Sequence, residues 1–325
     1  MKQIYIITGA NGHLGSTIIR YLSRGDCLVR GLLLPSENHE DSGNVKYYKG
    51  DITDLESMDA IFSGTGGSEV IVIHTAGLVS IEDKITLDLY DVNVNGTKNV
   101  ISMCRKYRAK RMLYVSSVHA IAEGDGFSID SVKGGYATTK AVASQAVLDA
   151  VSKGLDAVIV LPSGIIGPFD NGRNHLVQLV KRFLEKKLPV ITTGGYDMVD
   201  VRDVAKGCIA AADRGRNGES YILSNQYITI PDLIELSGEL SGTRVPCSIP
   251  LSYIKAFAPL FEWIGRITHT RPLFTRYSLS VLEEDIRFSH EKARRELGYC
   301  PMDIKDSLRD TIDYLLYGEE DMIDL

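Results

Sequence analysis

At 325 residues, 44% hydrophobic and 24% charged, the chain has the makeup of an ordinary globular protein, large enough for one sizeable or two modest domains. Part of its formal charge of −6 gathers at the end of the sequence, in Glu319, Glu320, Asp321 and Asp324, so the body is near neutral and offers no basic stripe for nucleic acid. Five cysteines stand apart without a CxxC pair, which points to reduced thiols in a cytoplasm rather than a metal site or a disulfide framework, and no run of ~18 uncharged apolar residues exists to span a membrane.

The chain enters a strand at once, Gln3-Ile4-Tyr5-Ile6-Ile7, so no secretory leader is expected. The strand breaks into Thr8-Gly9-Ala10-Asn11-Gly12-His13-Leu14-Gly15, and Leu14, Ile18, Ile19 and Leu22 then follow at helical spacing. Strand, glycine turn and helix N-terminus in this order suit a dinucleotide diphosphate: Gly9 for the turn, Gly12 for backbone approach, Gly15 for close helix packing. The unpaired amides and positive end of the helix face the anion.

Further strands are expected at 27–34, 45–48, 70–74, 112–115 and 155–161, with helices over 55–62, 87–107 and 136–151 between them. The alternation implies right-handed crossovers and an α/β fold, a doubly wound parallel sheet of Rossmann type. After Pro162 the rhythm loosens into a glycine-rich passage. It is followed by a helix over 176–186, short strands near Val190 and over 198–201, a helix opened by Pro231, an apolar helix over 251–267 and a closing helix over 304–316. The expected division is a dinucleotide-binding domain, residues 1–165 joined by the segment around 195–225, and a smaller mixed α/β substrate domain over 166–325.

Tyr136 and Lys140 stand four apart, hence on one face of a helix, where both can reach one ligand. A tyrosine is a poor acid–base group at neutral pH unless a neighbouring cation favours its phenolate. Ser117, just beyond the fifth strand, places a hydroxyl at the same edge of the sheet. His13, His74 and His119 have neither the spacing nor the carboxylate partners of a metal site, so none is expected.

With these features, the sequence resembles the extended branch of the short-chain dehydrogenase/reductase superfamily, the NAD-dependent epimerase/dehydratase type. The resemblance is carried by TGANGHLG at 8–15, Asp51-Ile52, IHTAG at 73–77, NVNGT at 93–97, YVSS at 114–117, YATTK at 136–140, LPSGIIGP at 161–168, VDVRDVA at 199–205 and KARRELGYCP at 292–301. It implies that Tyr136 is the general acid or base, that Ser117 polarises the reacting oxygen, and that Lys140 holds the nicotinamide ribose and lowers the pKa of Tyr136. It also implies cofactor contacts from Gly9, Asn11, Gly12, His13, Leu14 and Gly15, from Asp51 and Ile52 at the adenine, from Ala76 and Gly77, and from Pro162 and Ser163 near the nicotinamide. Asn93 would support the neighbouring helix.

Dehydratases of this branch resemble one another in a Thr-Asp-Glu stretch where this chain reads Ser117-Val118-His119-Ala120, so dehydration is disfavoured. Leu161-Pro162-Ser163-Gly164-Ile165-Ile166 looks more like dihydroflavonol-reductase-like and 3β-hydroxysteroid-dehydrogenase-like members, which act on carbonyls or alcohols of less polar substrates. The expectation is therefore an NAD(P)-dependent oxidoreductase, with a nucleotide-sugar epimerase as the alternative and a non-catalytic dinucleotide sensor as a third reading. After the second strand, Leu33-Leu34-Pro35-Ser36-Glu37 presents neither an acid nor an arginine at the expected place, and the balance falls to NAD over NADP. The helices over 87–107 and 136–151 resemble those through which relatives pair, so a homodimer is expected, with a small-molecule substrate and neither nucleic acid nor membrane as partner.

Overall fold

The structure, a computed structural model, describes residues 2–80, 83–121, 132–253 and 286–318. The apolar helix expected over 251–267 lies outside these residues from 254 onward, as does the acidic segment 319–325.

A central parallel sheet of seven strands carries the molecule. In chain order its strands are β1 Gln3–Thr8, β2 Leu28–Leu33, β3 Val45–Lys49, β4 Glu69–His74, β5 Arg111–Val115 and β6 Ala157–Pro162. The short β7 Gly164–Ile166, β8 Val190–Thr192 and β9 Gly195–Asp200 lie outside it, and β10 Ser220–Leu223 returns to complete it. The order across the sheet is β10-β6-β5-β4-β1-β2-β3. After β1 the chain moves outward through β2 and β3, then crosses back to β4 on the other side of β1. The crevice beyond the carboxyl ends of β1 and β4 is thus the reversal point at which open α/β sheets bind ligands.

Residues alternate along β1: Tyr5 and Ile7 face one side, Ile4 and Ile6 the other, and all four are buried. Both faces must therefore be covered, as crossover helices dictate. On the first face lie α1 His13–Leu22 and two later helices described below. On the second lie α2 Asp59–Phe62, then a long helical stretch and α5 Gly135–Val151. The long stretch differs from the single helix expected over 87–107. It runs as α3 Leu87–Tyr90, a wider π-type turn over Asp91–Gly96, and α4 Thr97–Lys106.

The remaining elements are α6 His175–Leu184, α7 Val201–Arg214, β11 Gln226–Thr229, α8 Ile230–Ser241, β12 Cys247–Ile249, α9 Glu291–Leu297 and α10 Ile304–Tyr317. α7 and α9 cover the first face of the sheet with Val204, Cys208, Ala293 and Leu297. A separate apolar core joins α6, α8 and α10 through Val180, Phe183, Ile234, Leu308 and Ile312, under the small sheet β11-β9-β7. α7 leaves β9 through Asp200 and Arg202. The Arg202 guanidinium, 3% exposed, takes both oxygens of Asp200 at 2.9 Å and Asp310 of α10 at 2.7 Å, and so binds the C-terminal helix to the sheet edge.

Candidate active site

The glycine turn is shaped by close approach. Gly9 sits at φ +73°, and a β-carbon there would lie 2.8 Å from the Ala76 backbone beyond β4, so only glycine fits. A β-carbon on Gly15 would run into the Gly9 carbonyl. α1 therefore starts hard against the turn. Gly12 caps it with no side-chain bond, no acid stands in the first turn, and the first-turn amides of His13, Leu14 and Gly15 have no acceptor within the helix. Uncapped amides, a positive helix end and a glycine surface fit a diphosphate anion.

His13 does not point at that space. Its Nε2–H donates to Pro168 O at 2.8 Å and its Nδ1 accepts from Asn174 Nδ2 at 3.0 Å, tying the turn to the loop ahead of α6. Burial pushes its pKa down, in keeping with this neutral arrangement. The side chain of Leu14 is buried in the first-face core, so that residue's amide faces the turn.

Beyond β4, Ala76 and Gly77 follow the glycine turn along the crevice. A β-carbon on Gly77 would come within 3.3 Å of Lys140 Nζ and 3.2 Å of Asn93 Oδ1, which puts three of the sequence motifs in contact. Beneath them runs a buried chain of hydrogen bonds. Thr8 Oγ1 donates to His74 Nδ1 at 2.7 Å, His74 Nε2–H to Thr97 Oγ1 at 2.9 Å, and Thr97 Oγ1 to Asn93 O at 2.7 Å. Asn93 fixes Leu78 through its N–H and its carbonyl and reaches Thr139 of α5, whose hydroxyl donates to Tyr136 O. Burial, with the Lys140 charge adding to it, pushes His74 down to about 3, so it stays neutral. The π-type turn turns Asn93 inward to make these bonds.

Tyr136 and Lys140 occupy the first and second turns of α5, and Ser117 lies two residues past the end of β5. The Ser117 hydroxyl caps a short turn by accepting from His119 N and lies beside the Tyr136 phenol. Lys140, 5% exposed, donates to Val115 O at 2.8 Å, its Nζ 5.0 Å above the Tyr114 ring. Desolvation pushes Tyr136 up to about 12, with the neighbouring Ser117 hydroxyl pulling the other way, and brings Lys140 down to about 7. Sequence reasoning anticipates the opposite direction for the tyrosine. With the crevice in this state, burial outweighs the lysine, whose own charge is suppressed.

Asp51 follows β3, where its carboxylate closes its own turn onto Thr53 N and Oγ1, both at 2.8 Å, its N–H and carbonyl are bonded to the Ser57 hydroxyl, and Ile52 is buried against Gly96. Pro162 ends β6 and pairs with Leu223. Ser163 is buried, its N–H bonded to Leu223 O. The sequence reading passes over Glu37, which returns to the glycine turn beside Asn11: its Oε2 accepts Leu34 N–H at 3.0 Å and its Oε1 pairs with Arg173 at 3.0 Å. An acid four residues past a strand end gives no local signal of that return.

The model of the NAD dependent epimerase/dehydratase family matches residues 5–224. The chain belongs to this family. As a member it is a nicotinamide-dependent oxidoreductase of the extended short-chain type. It is 29% identical over 321 residues to sterol demethylase protein B of Methylococcus capsulatus, covering 94% of this chain and 96% of the relative. It is also 29% identical to the 4-hydroxy-2-methyl-3-oxo-4-farnesyl-3,4-dihydroquinoline-1-oxide ketoreductase of Stigmatella aurantiaca, covering 90% and 91%. Among solved structures, the UDP-glucose 4-epimerase of Thermus thermophilus in complex with NAD shares the family fold at TM-score 0.74 and 19% identity, over 96% and 98% of the two chains. No helix among the described residues is long and apolar enough to cross a membrane.

Proposed function

We propose that this enzyme interconverts a carbonyl and an alcohol on a small, weakly polar substrate, with NAD favoured over NADP and Ser117, Tyr136 and Lys140 as the catalytic residues. The observation that carries the reading is the Ser117 hydroxyl next to the Tyr136 phenol, beside a buried lysine that meets Gly77, at the sheet reversal and next to an uncapped helix end. A bound nicotinamide supplies or accepts the hydride. Tyr136, protonated at neutral pH, gives its phenolic proton to the reacting oxygen in carbonyl reduction, and Ser117 hydrogen-bonds the same oxygen. Lys140 has ammonium protons beyond the one used on Val115 O, and these suit ribose hydroxyls. In alcohol oxidation Tyr136 takes the proton and must first ionise, which favours higher pH.

Support for the substrate class comes from the named substrates of two relatives, a sterol and a farnesylated quinoline oxide, both largely apolar. The division of labour follows the fold: residues 1–165 with the segment around 195–225 hold the dinucleotide, and residues 166–325 hold the substrate. The contacts of Gly9, Asn11, Gly12, His13, Leu14, Gly15, Asp51, Ile52, Ala76, Gly77, Pro162 and Ser163 belong to the cofactor in this reading. A reducing, cytoplasmic setting suits the free cysteines, and a homodimer through α4 and α5 suits the helical face beside the site. Sedimentation that shows only monomer at micromolar concentration removes the dimer.

The test is turnover of NADH or NAD with a panel of ketosteroids, hydroxysteroids and aryl ketones, by wild type and by Tyr136→Phe. The variant is expected to lose ~10²–10⁴-fold in turnover while binding dinucleotide almost unchanged. Retention of most of the turnover takes the acid role from Tyr136. Epimer formation from a UDP-sugar without added oxidant or reductant would replace the reductase reading with the epimerase one.

A further inference from the structure

The segment 168–174, which leads from β7 into α6, lies across the glycine turn. Pro168 O and Asn174 hold the two nitrogens of His13, Asn171 Nδ2 donates to Asn11 O, and Arg173 pairs with Glu37. The loop is braced from within: Asp170 accepts from the amides of Gly172, Arg173 and Asn174 at 3.1, 3.3 and 3.0 Å and from Gln178 Nε2 at 3.2 Å. An exposed ion pair on a loose loop contributes little. Here Glu37 is covered, with its side chain 11% exposed, and is held by Leu34 N–H and Arg173 together beside Asn11, while the arginine remains 62% exposed.

The place of this pair is set by the sheet. Leu34 is the residue after β2, so a carboxylate on its N–H stands at the carboxyl end of that strand, beside Asn11 of the glycine turn. In a doubly wound fold the adenosine ribose of a dinucleotide lies at that end. A carboxylate there accepts hydrogen bonds from hydroxyls and repels a phosphate; a guanidinium does the reverse, with the forked geometry that phosphate favours. Both chemistries stand side by side, one carried by the β2 loop and the other by the loop that enters the substrate half.

We propose that Glu37 and Arg173 read the 2′ position of the adenosine ribose as a pair, Glu37 receiving a 2′-hydroxyl and Arg173 a 2′-phosphate. The proposal rests on the dinucleotide reading above and deepens it. The unmodified enzyme binds both dinucleotides, with NAD ahead because a phosphate that reaches Arg173 also meets the Glu37 charge. The sequence signal is hidden because the two residues are 136 positions apart and neither occupies the usual last place of the strand.

The test uses ADP-ribose and 2′-phospho-ADP-ribose, which carry no nicotinamide, titrated calorimetrically into wild type, Glu37→Gln and Arg173→Gln. Losing one charged hydrogen bond is expected to move the affinity ratio of the two probes by ~10-fold, toward the phosphorylated probe in Glu37→Gln and away from it in Arg173→Gln. Glu37→Ala gives the same direction should the glutamine disturb the loop. A ratio within ~2-fold of wild type in every variant overturns the proposal and leaves the dinucleotide reading intact. Wild type that binds neither probe removes both.

Discussion

Two cations lie buried among the described residues, and their surroundings differ. Arg202 is enclosed by carboxylates, both oxygens of Asp200 and one of Asp310. Burial lowers its affinity for a proton, but those acids more than reverse the effect. Lys140 is as well covered, yet the bond it makes among the described residues is to a backbone carbonyl, Val115 O, and burial brings it to about 7. The arginine is fully compensated and holds α10 to the sheet edge. The lysine carries an uncompensated desolvation cost beside the crevice, and a strongly shifted group in such a place is a mark of chemistry rather than architecture.

The sharpest way to break the comparison is to remove each cation. Arg202→Ala strands two acids, one of them fully buried, and is expected to lose ~3–5 kcal/mol of stability in chemical denaturation. A loss below ~1 kcal/mol would mean that water reaches Asp200 and that the pair is no anchor. Lys140→Met removes a poorly solvated charge and fills its place with an apolar chain, so stability is expected to hold or rise while turnover falls ~10²-fold or more. A variant that melts well below wild type would make Lys140 structural, like Arg202.

The smallest effect separates them by pH. The folded pKa of Lys140 lies below its unfolded value of 10.5, so the unfolded chain binds more protons between about 7 and 10.5. The penalty is complete below pH 7 and is relieved as pH rises through that window. Wild type should therefore gain stability from pH 7 to 9 relative to Lys140→Met, by at most ~1.4 kcal/mol per pH unit. Parallel pH profiles for the two proteins would show that the lysine keeps its charge in the fold, by a partner or by water.

What the sequence reveals follows from range. The strand, the glycine turn and the spacing of Tyr136 to Lys140 are local patterns, and β1, α1 and α5 form where periodicity places them, within a residue or two. The π-type turn over Asp91–Gly96 is invisible because the periodicity on either side reads as one helix; tertiary bonds from Asn93 to Leu78 and Thr139 favour the wider turn. The strands β7 and β12 have three residues each, too few for an alternation to register, whereas the equally short β8 stands where a strand is expected near Val190. Glu37 with Arg173, and Arg202 with Asp310, join distant parts of the chain, and no window of sequence contains both partners.

That wide turn also sets a mechanical phase. A regular helix advances about 100° per residue and the wider turn about 80°, so the six residues Asp91–Gly96 rotate through nearly the angle that five would in a regular helix, and Val100, Ile101, Met103 and Cys104 keep their phase on the sheet. A designer who removed one residue to straighten the helix would keep the alignment downstream and lose the inward reach of Asn93 to Leu78 and Thr139.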